Sequence, residues 1–188
     1  MATIKPTVDS VGDAALTDSI IDKSITELQD NVVTKLRDSA LSGCTALKSV
    51  AFGAATGPQG SSIFSSCTAL ETVDFHQNVT FGSYSFQLCS ALKALILRST
   101  TLCEIGSVTP LADCSIANGN GYIYVPAALV DAYKAHSGWG QYASQIRAIE
   151  DHPEVCEPYS WEAVAYNIEN GTFCLLSRLM RASCAGAY

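Results

Sequence analysis

The sequence predicts a β-rich α/β solenoid of about four coils, closed at its C-terminal end by a helical cap. Three observations predict it. A four-residue signature recurs as Cys44-Thr45-Ala46-Leu47, Cys67-Thr68-Ala69-Leu70 and Cys89-Ser90-Ala91-Leu92, at spacings of 23 and then 22 residues. Behind each signature the apolar positions alternate, which is the period of a strand with one buried face. After the last copy the apolar residues fall on a helical face, and a terminal coil needs such an element to cover its open edge.

Taken in order, residues 1–22 precede the repeats and are expected to be helical or flexible. The solenoid is placed at 23–125. Ile25 and Leu28 are assigned to an early strand, and Val33, Leu36 and Ala40-Leu41 to the upstream half of the first clear coil. Leu47, Leu70 and Leu92 lead to Val50, Val73 and Leu95, and then to Phe52, Phe75 and Leu97. Ile63-Phe64 and Phe86 repeat the apolar residues ahead of the cysteine. One such unit cannot bury its apolar face alone, but stacked units cover one another. The strands then form a parallel sheet on one side, and the upstream halves return on the other as turn or short helix. Gly53, Gly57, Pro58, Gly60 and Gly82 fall where the chain must bend. Cys114 and the strand-like Gly121–Val125 read as a last, lengthened unit.

The cap is placed at 126–151. Pro126 suits the first turn of a helix, where a missing N–H costs nothing. Leu129, Val130 and Tyr133 share one face, Gly138 can end that helix, and Trp139, Tyr142, Ile146 and Ile149 give a second apolar stripe. Residues 152–188 are read as a linker, a short helix capped by Ser160 with Trp161, Val164, Ala165 and Ile168 on one face, and an apolar tail from Cys174.

The unit C-[TS]-A-L-x-x-[VL]-x-[FL] resembles the BspA-type leucine-rich repeat, over about Ile25 to Val125. The segment Tyr122–Asp151 resembles the closing segment of BspA-like proteins from gut Firmicutes and their prophages. Residues 159–173 resemble short helices that follow such repeats in prophage-like proteins. The resemblance implies a leucine-rich-repeat solenoid used in binding and adhesion rather than catalysis, on bacterial surface proteins or on proteins encoded by prophages. Ala40-Leu41 and Ile63-Phe64 stand where the family usually has an Ala-Phe pair, which alters packing on the convex side.

Composition narrows the function classes. Acidic residues number 18 against 11 basic ones, a formal net charge of −7. That balance speaks against a phosphate-backbone partner and against an electrostatic hold on anionic membranes. Charged residues make up 15% of the chain, below the usual figure of about 25%. No stretch approaches the roughly 18 apolar residues of a spanning helix, so no membrane insertion is expected. No signal peptide is visible at the start. The expected location is virion-associated or cytoplasmic in the producing cell, with the cell surface as the alternative.

No residue set carries catalysis or a cofactor. Cys44, Cys67 and Cys89 hold equivalent places in successive coils, together with Leu47, Leu70 and Leu92. They read as a stacked column of small buried side chains with thiols bonded weakly to turn backbone; disulfides between coils are the geometric alternative. His152, Cys156, Cys174 and Cys184 have no common zinc spacing, so no metal is expected. His76, His136 and His152 fall in turns or linkers and are expected in solvent. Trp139 reads as core packing, with a sugar-stacking platform as the alternative.

The functional expectation is therefore a non-enzymatic interaction protein, prophage-encoded or virion-associated, with a bacterial adhesin as the alternative. Its partner is a protein or a glycan, and the C-terminal tail is a candidate for self-association. The outward strand positions include Ser49, Ala51, Thr72, Ala94 and Ile96, and the candidate binding face is Lys48, Glu71, Asp74 and Lys93. A hydrolase using a tail cysteine and a structural filler in a larger assembly complete the readings.

Overall fold

Alternation at the end of each signature builds one six-stranded parallel sheet. Its strands in chain order are β3 (Glu27–Asp30), β5 (Ser49–Phe52), β7 (Thr72–Phe75), β9 (Ala94–Leu97), β11 (Tyr122–Val125) and β12 (Ile146–Ala148). The computed structural model describes residues 7–8, 14–16, 23–106 and 110–156. The chain falls into two units, 1–156 and 157–188, and all described residues lie in the first. The Ser160-capped helix and the apolar tail lie outside them.

Register follows the repeat. Leu28, Val50, Val73, Leu95, Ile123 and Ile146 stand side by side across the sheet, pointing inward. Phe52, Phe75 and Leu97 form a second inward row. Leu47, Leu70 and Leu92 are fully buried beside them, as the repeat requires. Five strands come from successive coils, where about four coils were expected, and β12 joins from the cap.

The return side carries more strand than expected. β6 (Gly57–Pro58), β8 (Val79–Phe81) and β10 (Glu104–Ile105) form a second parallel sheet. At the N-terminal end, β1 (Thr7–Val8) and β2 (Ala14–Leu16) pair antiparallel, and β2 pairs parallel with β4 (Lys35–Leu36). Of residues 1–22, expected to be helical or flexible, only β1 and β2 are among the described residues. Gln59 ties adjacent coils on this side: its Oε1 accepts from the Leu36 N–H at 2.7 Å and its Nε2 donates to Thr56 O at 2.8 Å.

Between the sheets the three coils of Cys44, Cys67 and Cys89 each make two left-handed turns at fixed places. Ser39, Ser62 and Tyr84 have φ of 58°, 54° and 57°, five residues ahead of the signature cysteine. Gly43, Ser66, Leu88 and Asp113 stand directly before it, at φ of 73°, 62°, 61° and 53°. Ser39, Gly43, Ser62, Ser66 and Leu88 each donate to a carbonyl of the next coil. Phenylalanines stack within the core, Phe52 on Phe75 at 5.5 Å and Phe64 on Phe86 at 5.2 Å between ring centroids.

Pro126 opens a single 3-10 turn at Ala127–Leu129, followed by α1 (Val130–Ala135). The second apolar stripe is a pair of 3-10 turns leading into β12 rather than a helix. Tyr133 and Trp139 are fully buried. They close the last coil at Cys103, whose N–H donates to Tyr133 Oη at 2.8 Å and whose carbonyl accepts from Trp139 Nε1 at 2.6 Å. Trp139 is core, as its packing against Phe81 and Tyr133 also shows.

Candidate interaction face

The outward side of the six-stranded sheet divides into an open margin and a covered centre. The margin lies just ahead of the strands. Lys48, Glu71 and Lys93 follow one another there, linked through the main chain by the Glu71 N–H to Lys48 O and the Lys93 N–H to Glu71 O. All three side chains are exposed, and Lys93 Nζ meets Glu71 Oε2 at 3.0 Å. An ion pair this exposed contributes little to stability, typically well under 1 kcal/mol. Tyr122 continues the margin on β11 and is 41% exposed. The guanidinium of Arg147, on β12, lies over its ring at 4.7 Å.

The centre is a different surface. Asp74, expected on the binding face, is fully buried. Arg98 grips its carboxylate from Nε at 3.0 Å to each oxygen and from Nη2 at 2.9 Å. His76 Nε2 stands 3.6 Å from the same carboxylate. Burial pushes the Asp74 carboxyl above the usual carboxylate range, against the pull of Arg98. Burial likewise holds His76 below the usual imidazole value, opposed by Asp74. The His76 side chain keeps 18% of its surface exposed, so it is mostly covered where solvent was expected. Charge reversal at Asp74 would break a buried pair and act on stability, so Asp74 is unsuited to test partner contact.

Ala51, Ala94 and Ile96, three of the outward strand positions, are also buried. Ala94, Ile96, Tyr124 and Cys156 form an apolar cluster of their own, with Ile149 against it. Residues 152–156, the start of the expected linker, thus lie on the sheet. The His152 ring meets Tyr124 edge-on at 5.4 Å, and Arg98 Nη2 donates to Cys156 O at 3.0 Å. Sequence reasoning missed Arg98, Tyr122 and Arg147. The signal available was the run of Ala51, Ile96 and Tyr124 at outward positions, too apolar for a face left open to water.

Cys44, Cys67 and Cys89 are fully buried at equivalent places in successive coils. Cys67 Sγ donates to Leu41 O at 3.0 Å and Cys89 Sγ to Phe64 O at 3.1 Å, each reaching the preceding coil. Cys44, Cys67, Cys89, Cys103, Cys114 and Cys156 are buried free thiols. Burial pushes Cys89 up to about 12 and Cys156 up to about 11. An activated nucleophile needs the opposite shift. Cys156 lies near Asp74 and Arg98, but a thiol so seldom ionised is poorly suited to attack. Among the described residues no group of three or more His, Cys, Asp or Glu side chains is placed to hold a metal.

His136 is also structural. Its Nδ1 accepts from the N–H groups of Gly138 at 3.1 Å and Trp139 at 3.3 Å, while its Nε2 faces Glu104 at 3.3 Å. That ring fixes the turn which delivers Trp139 to the core.

The family model for the BspA type leucine-rich repeat region matches residues 9–120, in six copies. The chain belongs to the BspA-type leucine-rich repeat family. None of the curated proteins compared with it matches. BspA-type repeats generally serve protein binding or adhesion and not catalysis, which agrees with a rigid repeat sheet bearing an exposed charged margin. No helix among the described residues is long and apolar enough to cross a membrane.

Proposed function

We propose that the chain is a non-enzymatic interaction protein that binds a protein partner through the open margin of its sheet. The observation that carries this is the exposed series Lys48, Glu71 and Lys93 directly ahead of β5, β7 and β9, with Tyr122 opening β11 beside Ala94. Alternating charges at fixed spacing match a partner chain of complementary pattern, and such matching favours orientation and choice of partner. Tyr122 with Arg147 adds an anchor of the residue types that dominate binding energy at interfaces. A glycan is less well served, since one exposed tyrosine with an arginine over its ring leaves little aromatic face for a sugar.

The resemblance of the cap to prophage and gut Firmicutes proteins supports a virion-associated or producing-cell placement, with a surface adhesin as the second reading. Detection on intact cells would favour the second. The binding reading is tested by capture from extracts of the producing cell. Wild type is compared with a Lys48→Glu, Lys93→Glu, Tyr122→Ala variant of unchanged melting temperature. Loss of a specific protein with the variant supports the margin; equal recovery of the same protein from both sinks it.

A further inference from the structure

Residues 149–156 leave the cap and turn back across the sheet. A 3-10 turn at Ile149–Asp151 is followed by a tight turn in which the Cys156 N–H bonds to His152 O. The segment is held by few groups: Ile149, the Glu150 carboxylate accepting from the Ala127 N–H at 2.9 Å, the His152 ring on Tyr124, the Cys156 side chain, and the Cys156 carbonyl on Arg98. Ile149 and Cys156 belong to a small cluster separate from the main core, which holds the cysteine column, the phenylalanines and Trp139. Val155 stays 39% exposed. A segment held by so few apolar contacts opens at a free energy well below that of global unfolding.

What lies beneath is continuous with the open margin. Tyr124 is two residues from Tyr122, their rings 6.2 Å apart, and Ala94 follows Lys93. We infer that residues 149–156 form a displaceable strap, an autoinhibitory contact that covers the central part of the interaction face. Opening exposes the apolar stripe Ala94, Ile96 and Tyr124, and frees the Arg98 guanidinium from the Cys156 carbonyl. A partner segment that offers an apolar side chain beside a main-chain carbonyl satisfies the same groups and competes with the strap. The occlusion rests on the margin being the binding face; the opening does not.

Cys156 reports the opening. The reduced full-length protein is exposed to excess iodoacetamide under native conditions, and each cysteine is followed by mass spectrometry. Cys156 is expected to react at least 100-fold faster than Cys67 and Cys89, which become accessible only when the solenoid unfolds. An Ile149→Ala, His152→Ala variant removes strap contacts without changing the solenoid. It is expected to speed Cys156 about tenfold, to leave Cys67 and Cys89 unchanged, and to raise recovery of the captured protein about threefold. Reaction of Cys156 at the pace of Cys67 and Cys89 overturns the strap. Fast Cys156 with unchanged recovery overturns the occlusion. If the Lys48, Lys93, Tyr122 variant also leaves recovery unchanged, the failure lies in the reading of the margin and not in the opening.

Discussion

Cys67 and Cys89 each give their thiol hydrogen to a carbonyl of the coil before, so one small residue both fills space and joins two coils. Cysteine suits that place because its side chain is compact and weakly polar. Asp74 shows the opposite economy: a carboxylate without exposure, held by a bidentate arginine beside His76. The His76 imidazole is held low by burial, so folding favours its neutral form. Its contribution is fully present above the unfolded value near 6.5 and is lost as pH falls through the lowered folded value. A His76→Asn variant is expected to show a flatter loss of stability on acidification below neutral than wild type. The difference in slope cannot exceed about 1.4 kcal/mol per pH unit for one proton. Urea unfolding between pH 7 and 4.5 measures it, and identical slopes would remove His76 from the account. This part of the site was hidden in the sequence. Alternation placed Asp74 outward correctly, but nothing local to it foretells that Arg98 and the strap close over that spot.

At the scale of the element, each turn needs two left-handed residues, and the coils fill them unequally. Gly43 holds one at φ 73° with open space where a Cβ would stand, so its value is conformational alone. Leu88 holds the equivalent place one coil on from Ser66, at φ 61° and 48% exposed, with only partial burial to offset the strain. A side chain with a Cβ costs roughly 1 kcal/mol or more in this region. Leu88→Gly is therefore expected to raise stability by about 1 kcal/mol, and Gly43→Ala to lower it by about the same. Calorimetric melting of the two variants checks the opposite signs. The glycines between coils serve differently: a Cβ on Gly82 would stand 2.4 Å from the Gly60 carbonyl oxygen, and one on Gly60 2.4 Å from the Arg37 carbonyl carbon. The signature and the alternation made coil and strand readable from spacing. The strands on the return side were not readable, because two- and three-residue strands carry too few positions to show a period. The second apolar stripe fitted a helix by spacing, yet Ile146 pairs with Ile123 as a strand because β11 offered an open edge.

The whole molecule follows from stacking. Each coil bonds mainly to its neighbours, so stability is close to a sum of unit and interface terms. Removing residues 45–67, one full period between Cys44 and Thr68, leaves the frame intact. That deletion is expected to keep a single cooperative melt at a lower temperature, whereas removing half a period abolishes it. Circular dichroism on both deletions decides the point; loss of cooperative melting in the first would contradict independent stacking. The same stacking fixes the row of Lys48, Glu71 and Lys93, with Tyr122 bonded to it through the Lys93 carbonyl and standing beside Ala94. Lysine reactivity tests the use of that row most directly. The captured complex and the free protein are treated with an amine-acetylating reagent, and each lysine is quantified. Lys48 and Lys93 are expected to be protected about fivefold or more in the complex, while Lys134, exposed on α1, reacts equally in both. Protection of Lys134 with Lys48 and Lys93 left reactive would contradict the sheet margin as the binding surface.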